Sequence, residues 1–433
     1  MKTDKIPFAK DLWIDYDFKN SKYTLNELVI GPTGAGKSYK AVLSKLTHTY
    51  NSSLVVPLSK KESIVLFSEE FRNRGYEVEI IDLVNPENST VAYDPLDYVR
   101  NDRDIVNLSS RIISACSRSR DVAATEDPYW NESAAKIVSA IVGLARMNSI
   151  DAGIRPSFCD VKLLHRTLVP RERNGQFSSS LDTIFDEAAI RHPYNIASEN
   201  WKVIKGLSMR TASCIMSIVN NKLSDFFDDT ILEAMKKEKR ISFRDLGKKK
   251  TLLFIYVPPY NNSLKTYLNL LYGDMMEDLF KAAQEEDNGS LPVHTEIIFD
   301  DFFCSKIEHF EDYISIMRAA NMSCTLLLQD LSQLEGLYGK YAADTIRNNC
   351  PLYTYFGGGN DLQTCRDVAE RLNVPLKKVM ELPVGNIVVF RPGAEPYVGE
   401  RYPVLEDPEY RKILSRKKKE DKQPENNDKE ELA

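Results

Sequence analysis

Val29-Ile30-Gly31-Pro32-Thr33-Gly34-Ala35-Gly36-Lys37-Ser38 decides the fold. An apolar strand runs into GxxxxGK[ST], and a helical pattern starts at Tyr39, which is the context a phosphate-binding loop requires. The glycines let successive backbone N–H groups converge on phosphate oxygens. The helix behind them points its positive end at the same place. Gly31, Pro32, Thr33, Gly34, Ala35, Gly36, Lys37 and Ser38 are therefore the expected nucleotide cradle. Lys37 is expected to reach the β- and γ-phosphates of ATP, and Ser38 to ligate Mg2+.

A carboxylate must complete such a metal site. His294 to Asp301 (HTEIIFDD) supplies an apolar strand ending in two acids. Asp300 is expected in the Mg2+ shell, and Asp301 as the residue that orients or deprotonates the attacking water. Asp300 lies 263 residues beyond Lys37. Between them the pattern changes character. Strand-like runs at 28–30, 54–58 and 78–83, with a helical stretch over 60–75, read as α/β with parallel strands. From about 98 to 246 helical periodicity dominates, with Ile105, Leu108, Ile112 and Ala115 on one face and Ala134, Ile137, Ile141 and Ala145 on another. Strands return at 251–257, 295–300, 323–328, 352–356 and 386–390. The expected architecture is a P-loop NTPase domain, α/β and mostly parallel, made of residues 1–97 and 247–405, with an all-helical domain, 98–246, inserted in it. The polar stretch Arg173 to Ser180 reads as a mobile loop of the insertion, and the charged segment 406–433 as a disordered tail.

Composition limits the function classes. The 433 residues carry 57 Lys+Arg against 63 Asp+Glu, a net charge of −6, which excludes a generally polybasic nucleic-acid binder but leaves room for a local basic channel. Seven scattered cysteines without a CxxC pair, and five dispersed histidines, argue against a disulfide framework or zinc module and suit a reducing, cytoplasmic setting. No stretch approaches the about 20 apolar residues of a membrane span. Any membrane role is expected to come through a partner.

Further segments carry a resemblance. Tyr93-Asp-Pro-Leu-Asp97 is similar to an "NPLD" signature, Asp127-Pro-Tyr-Trp130 to "DPFW", Gln329 to Gly339 (QDLSQLEGLYG) to "QSLSQLEKLYG", and Gly359-Asn-Asp361 with Thr364 to "GSND..TA". With the phosphate loop, and in this order, they resemble the coupling-protein ATPases of type IV secretion and bacterial conjugation, the TraG/TraD type, over most of residues 24–405. The resemblance implies a RecA-like motor with an inserted helical domain, working as a hexameric ring. It also implies delivery of DNA–relaxase or protein cargo to a secretion channel. The chain departs from the pattern in three places. The sequence shows no counterpart of the family's N-terminal membrane helices, so attachment through a partner is the expectation. Val56 to Glu62 stands where "DPKGE" is usual, and the acid pair is Asp-Asp rather than Asp-Glu.

The resemblance also implies roles for two residues. Gln329 closes an apolar strand, where its amide can touch both γ-phosphate and water as a sensor. Arg318 stands where an arginine reaches a neighbouring subunit's nucleotide, with Arg347 as the second candidate. Arg100, Arg103, Arg111, Arg118, Arg120, Lys202, Lys205 and Arg210 either line a sequence-independent DNA path or are solvated helix faces. The lysine-rich runs 236–240 and 248–250 read as a solvated turn, and Trp130 as core. Alternatives to the motor are a nucleotide-dependent cargo receptor with little sustained hydrolysis and a related DNA pump.

Overall fold

The computed structural model describes residues 3–18, 21–115, 128–258, 264–300 and 306–420. Its strands are β1 (Lys5–Ala9), β2 (Leu12–Asp15), β3 (Glu27–Ile30), β4 (Ser53–Leu58), β5 (Glu77–Asp82), β6 (Pro170–Arg173), β7 (Gln176–Ser179), β8 (Thr251–Tyr256), β9 (Thr295–Phe299), β10 (Met322–Leu328), β11 (Leu352–Phe356), β12 (Asn386–Phe390) and β13 (Tyr397–Glu400). Among the described residues nine of them form one sheet in the order β13-β12-β11-β3-β10-β9-β4-β8-β5. The seven strands from β11 to β5 run parallel, and the last two are antiparallel at one edge.

Every residue of β3, β9, β10 and β11 is buried, because helices cover both faces of a parallel sheet. Alternate side chains feed two cores. Leu28 and Ile30 join the core on the insertion side, whereas Val29 packs beneath the helices Lys37–His48 and Lys61–Asn73. Ile30 aligns with Leu328 on one side and Tyr355 on the other, and Phe299 aligns with Leu326. Gly31, Asp300 and Gln329 thus all leave the sheet at the carboxyl edge of central strands, where open α/β sheets bind ligands.

Residues 98–246 leave after β5 and return to β8. The outgoing and returning segments lie side by side, with Ala92 N bonded to Lys239 O and Ile241 N to Ala92 O, both at 2.9 Å. Four buried or half-buried contacts fasten this junction. Asp94 accepts from Leu96 N (3.0 Å) and Phe158 N (3.0 Å) and faces Arg240 at 3.4 Å; Arg111 meets Asp274 at 2.5 Å. The signature around Asp94 therefore ties the sheet to the helix Phe158–Thr167 of the insertion.

The structure corrects three expectations. Residues 173–180 are not a loop: β6 and β7 pair as an antiparallel hairpin, so the insertion is not wholly helical. Its turn is Asn174-Gly175, both at positive φ (55° and 79°), the two-residue turn whose twist matches a hairpin. The Asn-Gly dipeptide was visible in the sequence and carried the signal. Second, part of the charged tail is ordered. Asp407 caps the helix Pro408–Glu420 through Glu409 N (2.7 Å) and Tyr410 N (3.0 Å), and Tyr410 and Ile413 are buried. Leu414 packs beside them, so three apolar side chains and one cap dock a mostly polar helix, and Arg416 adds a 2.9 Å contact to Glu70. Residues 421–433 lie outside the described residues. Third, the 236–240 run is not a free turn: Lys239 pairs with Glu79, and the largely buried Arg240 with Asp94.

Candidate nucleotide site

Gly34 and Gly36 hold φ of 80° and 87°, a left-handed backbone that costs glycine little. Gly31 has a different reason to be glycine, since a Cβ there would stand 2.5 Å from Phe356 Cβ. The loop ends at the N-terminus of the helix Lys37–His48, whose first turn carries no acidic residue and leaves its N–H groups for an anion. Lys37 Nζ donates to Gly31 O (2.6 Å) and Pro32 O (3.1 Å), so the ammonium lies across the loop.

Ser38 Oγ donates to Asp300 Oδ1 at 3.0 Å. A hydroxyl and a carboxylate side by side are hard oxygen donors. They fit a Mg2+ ion that takes its other ligands from phosphate and water. Asp301 lies outside the described residues. Gln329 and Asp330 line a cleft with Gly31, Pro32, Thr33 and Asn360. Gln329 Oε1 accepts from Gln333 Nε2 at 3.4 Å. Burial raises the Asp330 carboxyl above its usual range, against the pull of Lys37.

A buried ionic layer fixes the helix behind the loop. Glu27 lies 3.4 Å from Lys40 and 3.1 Å from Lys45, and Lys45 also bonds Glu296 and Thr325. Thr325 donates to Glu296 at 2.8 Å and Thr354 to Glu27 at 3.2 Å. Burial alone would raise the Glu27 pKa, but the two ammonium groups outweigh it and hold the carboxyl below its ordinary value. One helix is thereby pinned to β3, β9, β10 and β11, the strands that carry the loop, Asp300 and Gln329.

The other predicted residues fall elsewhere. Arg318 is exposed in the turn before β10, at the opposite edge of the sheet, and donates to Ser21 O at 3.1 Å. Arg347 pairs with Asp367 (2.9 Å) and Asp344 (3.0 Å). Arg100 and Arg111 engage Asp278 and Asp274 on the helix Leu264–Glu285, which makes them junction contacts. Lys205 meets Asp186 at 3.3 Å; Lys202, Arg103 and Arg210 are exposed; Arg118 and Arg120 lie outside the described residues. Sequence reasoning missed Arg401, which donates to Ala35 O of the loop at 2.8 Å from the far edge of the sheet and belongs to no local motif.

A model of the type IV secretory system conjugative DNA transfer family matches residues 8–373. The chain belongs to that family. Membership gives it a role in conjugative DNA transfer by a type IV secretory system. No curated protein sequence matches it. Solved structures share its fold at low identity. The plasmid coupling protein TrwB in complex with ADP and Mg2+ is 15% identical, with a TM-score of 0.62 over 93% of this chain and 90% of that one. TrwB with the non-hydrolysable ATP analogue ADPNP is 16% identical, with a TM-score of 0.57 over 87% and 84%. VirB4 of Thermoanaerobacter pseudethanolicus is 12% identical, with a TM-score of 0.52 over 95% and 98%. The RecA-like P-loop fold is common to them.

In this family member two further signature segments interlock beside the cleft. Asp330 caps the helix Leu331–Tyr338 through Gln333 N (2.8 Å), and Asp361 caps Leu362–Leu372 through Thr364 N (2.8 Å). Ser332 donates to Asp361 (2.8 Å), and Leu331 N donates to Thr364 Oγ1 (2.9 Å). Burial would lift the Asp361 pKa, but the Thr364 and Ser332 bonds keep it below the ordinary value. Trp130 of the "DPFW"-like segment is partly buried against the core, and Asp127 lies outside the described residues. No described helix is long and apolar enough to cross a membrane.

Proposed function

We propose that this protein is the ATP-driven motor of its secretion system, coupling hydrolysis to the movement of DNA, with its relaxase or with protein cargo, into the channel. The observation that carries the reading is the 3.0 Å contact between Ser38 and Asp300 at the mouth of a complete phosphate loop. Lys37 is assigned to the β- and γ-phosphates and the loop N–H groups to the phosphate oxygens. Mg2+, when bound, neutralises developing charge on the phosphoryl oxygens, and Ser38 and Asp300 are the residues that would hold it. Asp301 is assigned to the attacking water, and Gln329 to reporting whether the γ-phosphate is present.

Arg318 acts in trans in this scheme. Seven residues of β10 separate it from Gln329, about 23 Å at 3.3 Å per residue. It is therefore too far to reach its own subunit's phosphates, and it is exposed for a neighbour. The scheme calls for a ring, taken as hexameric, and for a membrane-anchoring or channel partner. Residues 1–97 and 247–405 serve as the motor domain and 98–246 as a lever joined through the two strand-like segments at Ala92 and Ile241.

The test is ATP turnover with and without DNA, at protein concentrations that favour assembly. DNA-stimulated turnover that Lys37→Ala abolishes is the expected result. Wild-type protein with no turnover under both conditions would refute the motor.

A further inference from the structure

The phosphate loop has two flanks. Gln329 and Asp330 lie against Gly31 to Thr33, and Asp300 meets Ser38. Arg401 occupies the other flank. Its Nη1 donates to Ala35 O at 2.8 Å and stands 2.6 Å from where a Gly36 Cβ would be, so the guanidinium rests on the bare glycine backbone. Any side chain at Gly36 would displace it.

The arginine is held in place from behind. Its backbone N–H bonds Gly385 O at 2.9 Å, and it forms an antiparallel bridge with Ala9. Two hairpins, β1–β2 and β12–β13, therefore converge to present one guanidinium to the loop. Among the described residues no carboxylate pairs with it. One N–H is used by Ala35 O, which leaves further donors in the fork. An unneutralised cation beside backbone that gathers anions is an anion-binding element.

We infer that Arg401 binds the nucleoside-side phosphate of a nucleoside di- or triphosphate in its own subunit, on the flank of the loop opposite Gln329. The role presupposes the nucleotide reading of the same loop. It separates two functions on the two flanks: Gln329 senses the terminal phosphate, whereas Arg401 holds what ADP and ATP have in common. Its loss therefore weakens both nucleotides alike.

The experiment is equilibrium binding of a fluorescent ADP analogue and a non-hydrolysable ATP analogue to the full chain. Wild type, Arg401→Gln and Arg401→Lys are compared, with thermal unfolding of each. Arg401→Gln keeps a donor for Ala35 O but removes the charge. It is expected to weaken both nucleotides about tenfold without lowering the ligand-free melting temperature, and Arg401→Lys to recover part of the loss. Turnover is expected to show a raised KM with a smaller change in kcat. Wild-type affinity in Arg401→Gln, or a loss confined to the triphosphate, would overturn the role while leaving the nucleotide reading standing. Failure of wild type to bind either nucleotide would overturn both.

Discussion

Ser38 Oγ donates a 3.0 Å hydrogen bond to Asp300 Oδ1 across 262 residues of chain. The two residues follow β3 and β9, which are not neighbours but flank β10 on either side. Mg2+ held by both oxygens would sit about 2.1 Å from each, which suits their present separation, and the hydroxyl would keep its proton and turn a lone pair to the ion.

Removal of either donor should therefore change the metal dependence before the fold. Ser38→Ala and Asp300→Asn are expected to raise the Mg2+ concentration for half-maximal turnover and to lower kcat by about 100-fold. Mg2+ titrations of ATP turnover check this. Unchanged Mg2+ dependence in both variants would remove Asp300 from the metal site.

Gln329 sits at the end of β10, where its Oε1 accepts a long 3.4 Å contact from Gln333. Gln329→Ala should leave ADP affinity intact and reduce turnover by about 100-fold or less, the range of a positioned polar group in the reacting complex. Equal loss of ADP affinity would mean that the amide supports the loop rather than senses the γ-phosphate.

In the proposed ring, Arg318 acts between subunits from the opposite sheet edge. Arg318→Ala and Lys37→Ala should each be inactive alone. Mixed in equal amounts before assembly, they should regain activity, because about a quarter of random interfaces then join an intact loop to an intact arginine. Absence of recovery in a mixture shown to co-assemble would exclude the trans role.

Asp94 lies fully buried at the junction, facing Arg240 and accepting from two backbone N–H groups. Asp94→Ala leaves those donors and a largely buried guanidinium without their partner, and should cost about 3 kcal/mol of stability. Denaturant unfolding measures it. A loss below about 1 kcal/mol would contradict the anchoring role.

His294 should give the fold a pH dependence. Its ring is buried, with Nδ1 2.8 Å from Asn321 O and Nε2 3.0 Å from Ser323 Oγ, and burial holds its pKa well below the ordinary 6.5. The folded state keeps it neutral while the unfolded chain takes up a proton below 6.5, so stability falls as pH drops from about 7 to 5. His294→Gln should flatten that slope, and an identical slope in the variant would assign the dependence to other groups.

The phosphate loop, the parallel strands and the family resemblance were legible because each is written locally. Spacing of glycines sets backbone torsions, and unbroken apolar runs mark strands buried on both faces. The hairpin at Asn174-Gly175 is equally local: the polarity of 173–180 suggests a loop, but the Asn-Gly pair favours the positive φ values that a two-residue hairpin turn needs. The helix beyond Asp407 was not legible from composition, because its order depends on burying Tyr410 and Ile413 against a distant part of the chain.

The sequence by itself determined the loop from Gly31 to Ser38, a set of residue types at fixed spacing, and pointed to the acid at the end of an apolar strand that meets it. Tertiary structure alone decided which side chains share that cradle. Arg401 reaches Ala35 across 366 residues, Lys45 joins Glu27 to Glu296, and Arg111 and Arg240 turn from candidate DNA contacts or solvated charges into junction pairs. The reason is that a charge declares its partner only through strand order and helix packing, and neither is encoded in the residues beside it.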